Sequence, residues 1–86
     1  MQSAFQVVSN AITRMTRAPY DGVRITATDD LNTVFIQYGP GRGAVLNIGN
    51  DTYRISIRKK NGRYGLYRIC RDEKDATQRV IDFLTA

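Results

Sequence analysis

The residues best suited to chemistry in this chain are cations and one phenol: Arg54, Arg58, Lys60, Arg63 and Tyr67, with Arg42 upstream. Cations in series hold phosphates, and an aromatic ring among them offers a base something to stack on. Seven of the 13 Lys and Arg residues fall between Arg54 and Arg71, whereas acids cluster in Asp29-Asp30 and in Asp72, Glu73, Asp75 and Asp82. Asn61-Gly62 separates two alternating segments there, which predicts a two-residue hairpin turn with φ > 0 at both positions. Lys60 then faces Arg63. One face carries Arg54, Ser56, Arg58, Lys60, Arg63, Gly65, Tyr67 and Ile69, a basic ribbon without an acid. Its side chains stand about 7 Å apart along each strand, comparable to phosphates along a nucleic-acid strand. The bland alternative is a solvated sheet face guarded by charge against edge aggregation.

The opposite face carries Tyr53, Ile55, Ile57 and Lys59 against Tyr64, Leu66, Arg68 and Cys70, mostly apolar and fit to lie on a core. Arg68 is the misfit, opposite Ile55. Either it snorkels past the edge of the covering elements, or a bulge near Gly65 shifts the register.

Missing residue types exclude more than present ones suggest. The chain has no histidine, which removes Ser-His-Asp and Cys-His nucleophiles and His-ligated metals. The single Cys70 cannot form an internal disulfide, a zinc knuckle or an iron–sulfur site. It reads as a small buried hydrophobe in a reducing compartment. Asp29-Asp30 and Asp72-Glu73 are available for a hard metal or acid–base work, but their contexts predict a turn and a helix start. No EF-hand or Walker pattern is present, and no cofactor is expected. In Gly39-Pro40-Gly41-Arg42-Gly43 the open backbone N–H groups and Arg42 offer an anion site. The simpler reading is a type II turn with Arg42 exposed, since a strand follows instead of the helix that a phosphate loop feeds.

Something must hold these residues in place. Residues 3–17 read as an amphipathic helix with Ser3 and Gln6 at capping-box spacing, an apolar stripe of Phe5, Val8, Ile12 and Met15, and a stop at Ala18-Pro19. Alternation then predicts strands at residues 23–28, 33–38 and 44–48 and the two arms of the basic hairpin, with Gly49-Asn50-Asp51 as a turn. A last helix runs over residues 72–84, with Asp72 as N-cap and Ala76, Val80, Phe83 and Leu84 as its stripe. The expected fold is α+β: an N-terminal helix, an antiparallel meander of about five strands, and a C-terminal helix, both helices on one sheet face. At 86 residues and a net charge of +5 this reads as one small domain, residues 1–86, with nucleic acid or another anionic surface as its partner. No apolar run is long enough to span a bilayer, and the first residues lack a signal-peptide pattern, so a cytoplasmic protein with no membrane partner is expected.

The run Tyr53 to Ile57 followed by Gly62 to Ile69 resembles the paired strands of RelE-type ribonuclease toxins. That family cuts messenger RNA with Arg, Lys and Tyr side chains, and the resemblance implies roles for Arg54, Arg63 and Tyr67. The chain departs from the family at its start, with one helix where those toxins have a strand and a helical hairpin. In size and lack of a catalytic signature it is similar in type to small phage-encoded inhibitors of host defence, including anti-CRISPR proteins. Three readings follow: a non-enzymatic module contacting nucleic acid or a nucleic-acid-binding partner, a protein–protein inhibitor, and a ribonuclease toxin. Five strands also leave two sheet edges, one of which can pair across a two-fold axis to form a homodimer.

Overall fold

The computed structural model describes residues 1–15, 23–37 and 41–85. These form helix α1 (Ala4–Arg14), strands β1 (Arg24–Ala27), β2 (Thr33–Gln37), β3 (Gly43–Gly49), β4 (Thr52–Arg58) and β5 (Tyr64–Cys70), and helix α2 (Glu73–Thr85). The strands form one antiparallel sheet in the order β1-β2-β3-β4-β5, a meander. The helices pack on each other, α1 also against β2 and β3 and α2 against β5. The α+β architecture read from the sequence is the one observed.

Both helix starts are capped by the residues expected. Ser3 Oγ accepts from Gln6 N at 3.0 Å, and Asp72 Oδ1 accepts from Asp75 N at 2.7 Å. The reciprocal half of the capping box is not formed; the Gln6 side chain instead turns along the helix, its Nε2 donating to Asn10 Oδ1 at 2.9 Å. The N–H of Phe5 donates to the carbonyl of Leu31, which lies in the β1–β2 turn at φ of 62°. α1 ends at Arg14, three residues short of the expected end: Met15 is already extended, with ψ of 131°, and its N–H donates to the Ile12 carbonyl, so the chain leaves the helix before Ala18-Pro19, which lie outside the described residues. Its stripe is also rotated from the expected one. Ala4, Val7, Val8 and Ala11 are buried, Ile12 and Met15 pack at the margin, and Phe5 is exposed. The reason is the second helix: buried Ala4 and Ala11 here and Ala76 in α2 are small enough for close approach of two helices.

The sheet's inward side supplies Val34, Ile36, Leu46, Tyr53, Ile55 and Cys70, each at most 4% exposed, and α2 adds Ala76, Val80 and Leu84. Tyr53 is the largest of these, and its hydroxyl donates to the Gln2 carbonyl at 2.7 Å. Gln2 N in turn donates to Glu73 Oε1, so β4, the start of the chain and the start of α2 are tied together.

The turns exchange the roles assigned to them. Asn50 and Asp51 have φ of 54° and 58° between paired Gly49 and Thr52, so the tight two-residue turn with both φ positive lies here. At Asn61-Gly62 only Gly62 is positive, at 83°. Lys59 N donates to the Arg63 carbonyl and Gly62 N to the Lys59 carbonyl, which makes a three-residue loop of Lys60, Asn61 and Gly62. Asn61 Oδ1 holds it by accepting from Arg63 N. The expected Lys60–Arg63 pairing is therefore corrected to Lys59–Arg63.

A bulge absorbs that one-residue slip. Ile55 pairs with Arg68 but Ser56 pairs with Leu66, so Leu66 and Tyr67 together face one residue of β4. Beyond the bulge the expected register holds, from Ile55–Arg68 to Tyr53–Cys70. Before it, Tyr64 and Leu66 change faces relative to expectation. A bulge exists near Gly65 as one expectation had it, but it does not move Arg68, which stays opposite Ile55 and instead reaches outward to Asp75 of α2 at 3.9 Å.

Candidate nucleic-acid interface

Neither helix covers the outward face of the sheet. Strand register aligns its side chains in three rows. One runs through Arg24, Gln37 and Gly43, with the Arg58–Tyr64 pair beyond. The middle row is Thr26, Phe35, Val45, Ser56 and Leu66, and the third is Thr33, Asn47, Arg54 and Ile69. Phe35, Tyr64, Leu66 and Ile69 are all exposed large hydrophobics. None of the five strands contains an Asp or Glu. The face is thus apolar at its centre and cationic at its ends.

The arginines reinforce that division. A Cβ placed on Gly49 would meet Arg54 Cδ at 3.6 Å, so Arg54 extends toward the β3–β4 turn. A Cβ on Gly62 would meet an Arg58 guanidinium nitrogen at 3.7 Å, so Arg58 extends toward the opposite end. Tyr64 reaches over β4: its hydroxyl lies 2.7 Å from where a Cβ of Gly43 would stand. Glycine at position 43 leaves room for that ring.

The six residues singled out in the sequence separate into three places. Arg54 and Arg58 share the outward face. Lys60 lies in the β4–β5 loop and Arg63 just past it, both exposed. Arg42 and Tyr67 border a groove of about 420 Å³ on the helical side, lined also by Ile55, Ile57, Arg79, Asp82 and Phe83. Tyr67 was expected on the basic face; as the extra residue of the bulge it lines this groove, and Tyr64 supplies the ring near Arg58. The structure therefore does not gather Arg54, Arg63 and Tyr67, the trio that the toxin resemblance implicates. Of the glycine loop, Gly41 has φ of 71°, and residues 38–40 lie outside the described ones.

The other candidates are spent on structure. Asp30 Oδ1 accepts from Asn32 N and Thr28 Oγ1 in the β1–β2 turn, and these bonds, the Asn32 N–H first, hold its carboxyl below the usual range. Asp72 caps α2. Cys70 is buried; that burial and then nearby Asp75 push its thiol up from 9.0, keeping it protonated and unreactive.

Sequence reasoning missed Arg24, Phe35, Tyr64 and Leu66. A signal existed for the first two, since alternation puts both on the face opposite the buried residues of their strands. Tyr64 and Leu66 had no such signal, because the bulge reverses their phase. The chain matches no protein-family model, and no curated protein or solved structure matches it. Among the described residues, no helix is long and apolar enough to cross a membrane.

Proposed function

We propose that this chain is a binding module whose outward sheet face takes a nucleic-acid strand. One observation carries the reading: an uncovered face combining Arg24, Arg54 and Arg58 with exposed Phe35, Tyr64, Leu66 and Ile69, and without a carboxylate in any strand. The splayed Arg54 and Arg58 suit phosphates toward either end of the sheet, and the apolar row between them suits bases. A duplex would leave that row facing phosphates and sugars, so single-stranded DNA or RNA fits best. Lys60 and Arg63 extend the positive field past the end of the sheet.

The test is fluorescence anisotropy with labelled single-stranded DNA, single-stranded RNA and duplex DNA at two salt concentrations. Single strands bind more tightly than duplex, and affinity falls steeply with salt as counterions are released. Arg54→Glu with Arg58→Glu weakens the binding roughly a hundredfold while the thermal midpoint stays in place. Absence of single-strand binding at low salt refutes the reading. A salt-insensitive protein partner would instead favour the inhibitor reading, for which the groove beside α2 offers a second surface.

A further inference from the structure

The two sheet edges are unlike. β1 is four residues long, a short edge of the kind that resists adding strands. β5 is seven residues long and shows apolar side chains on both sides: Tyr64, Leu66 and Ile69 on the outward face, Tyr67 on the groove. That is half of the eight exposed large hydrophobics among the described residues, on a strand with a neighbour along one side only. Its one charge, Arg68, reaches toward Asp75 of α2. β5 has the composition of an interior strand.

We infer that β5 pairs antiparallel with β5 of a second copy, extending the sheet to ten strands across a two-fold axis. The bulge selects the register. Leu66 and Tyr67 fill the single ladder position opposite Ser56, so residues before and after it differ in phase by one. A two-fold through that position sets Gly65 against Arg68 of the second copy, Tyr64 against Ile69, and Arg63 against Cys70. Every such pair keeps its faces matched, because Gly65 and Arg68 both point with Ile57 and Ile55 to the helical side and Tyr64 and Ile69 both point outward. No like charges stand directly opposite along the two β5 strands, but the Lys59 side chain lies over Gly65, so Arg68 of the second copy approaches that ammonium and screening by salt favours the contact. A two-fold normal to the sheet also keeps both outward faces on one side. The dimer therefore presents one continuous surface with Arg24, Arg54 and Arg58 from each copy.

The occupant is a second copy and not a foreign strand because the bulge gives β5 a register in which its own pairs match face to face. Sedimentation equilibrium of the full chain tests it, in low and high salt. The expected mass is twice the 9.7 kDa of one chain, with association strengthened by salt, since each copy carries +5. Nucleic-acid binding has the opposite salt dependence, so the failure of one proposal is distinguishable from failure of the other. Tyr64→Lys with Ile69→Lys puts like charges opposite each other twice and leaves a monomer. Tyr64→Glu with Ile69→Lys makes the same contacts complementary and restores the dimer; circular dichroism confirms that both variants fold. A wild-type chain that stays monomeric at high concentration and high salt overturns the proposal. So does a dimer that the double lysine variant leaves intact, because it would use another surface.

Discussion

The two faces of the sheet are made by the same five strands, yet they obey different rules. The inward face is closed by α1 and α2, and its six core side chains are at most 4% exposed. The outward face holds comparable apolar residues, Phe35, Leu66 and Ile69, at 42, 57 and 46% exposure, with arginines at its ends. Burial makes the first face the source of stability. On the second, equally apolar residues contribute little to folding and remain available to a partner. Contiguous apolar surface left open and bounded by charge is the usual mark of an interaction site.

Substitutions on the two faces separate these roles. The largest effect belongs inside: Leu46→Ala empties a fully packed position and should cost about 2–5 kcal/mol in urea denaturation, leaving binding by the folded fraction unchanged. Next, Arg54→Glu with Arg58→Glu should lower single-strand affinity roughly a hundredfold, two losses of about 1.4 kcal/mol each, and flatten the salt dependence. A comparable loss of thermal stability in that variant would collapse the distinction between the faces.

A smaller effect comes from ionisation on the inward face. Burial raises the pKa of both the Cys70 thiol and the Tyr53 phenol, the latter also through Glu73, so the folded state holds these protons more tightly than the unfolded chain. Their contribution is complete below the ordinary thiol value of 9.0 and is lost as pH rises, the thiol first and the phenol above 10.0. Thermal midpoints measured across alkaline pH should decline in that order, and Cys70→Ala should remove the earlier decline. Tyr53→Phe, which deletes the bond to Gln2, should cost about 1 kcal/mol at neutral pH. The smallest effect is outside: Leu66→Ala should change stability by under about 0.5 kcal/mol while weakening strand binding.

The inward face was the legible one. Period-two alternation in residues 23–28 and 33–38 and the stripe of α2 identify most core positions, because burial imposes one phase on each element. Ser3 and Asp72 were readable as caps because the helix start demands an oxygen at that position. The outward face was harder to read, since no burial constrains it and a single bulge resets the phase. Local preference at Asn61-Gly62 predicts a two-residue turn, yet the loop is three residues long, Lys60 to Gly62, and the one-residue slip it creates is taken up by the bulge that carries Tyr67 to the groove. Arg68 opposite Ile55 prompted the expectation of a bulge near Gly65; one exists at Leu66 and Tyr67, yet it leaves Arg68 where alternation puts it.

The contact between α1 and α2 has a consequence for how the chain assembles. Every strand pairs with its neighbour in sequence, so each hairpin can close quickly and locally. The inward face is finished only when α2, contributed after all five strands, docks beside α1. α1 precedes the strands and lies against β2 and β3, so it can cover Val34, Ile36 and Leu46 as they form, whereas the inward side of β4 and β5, with Ile55 and Cys70, stays open until α2 arrives. Docking of the 13-residue α2 is then the step that completes the core.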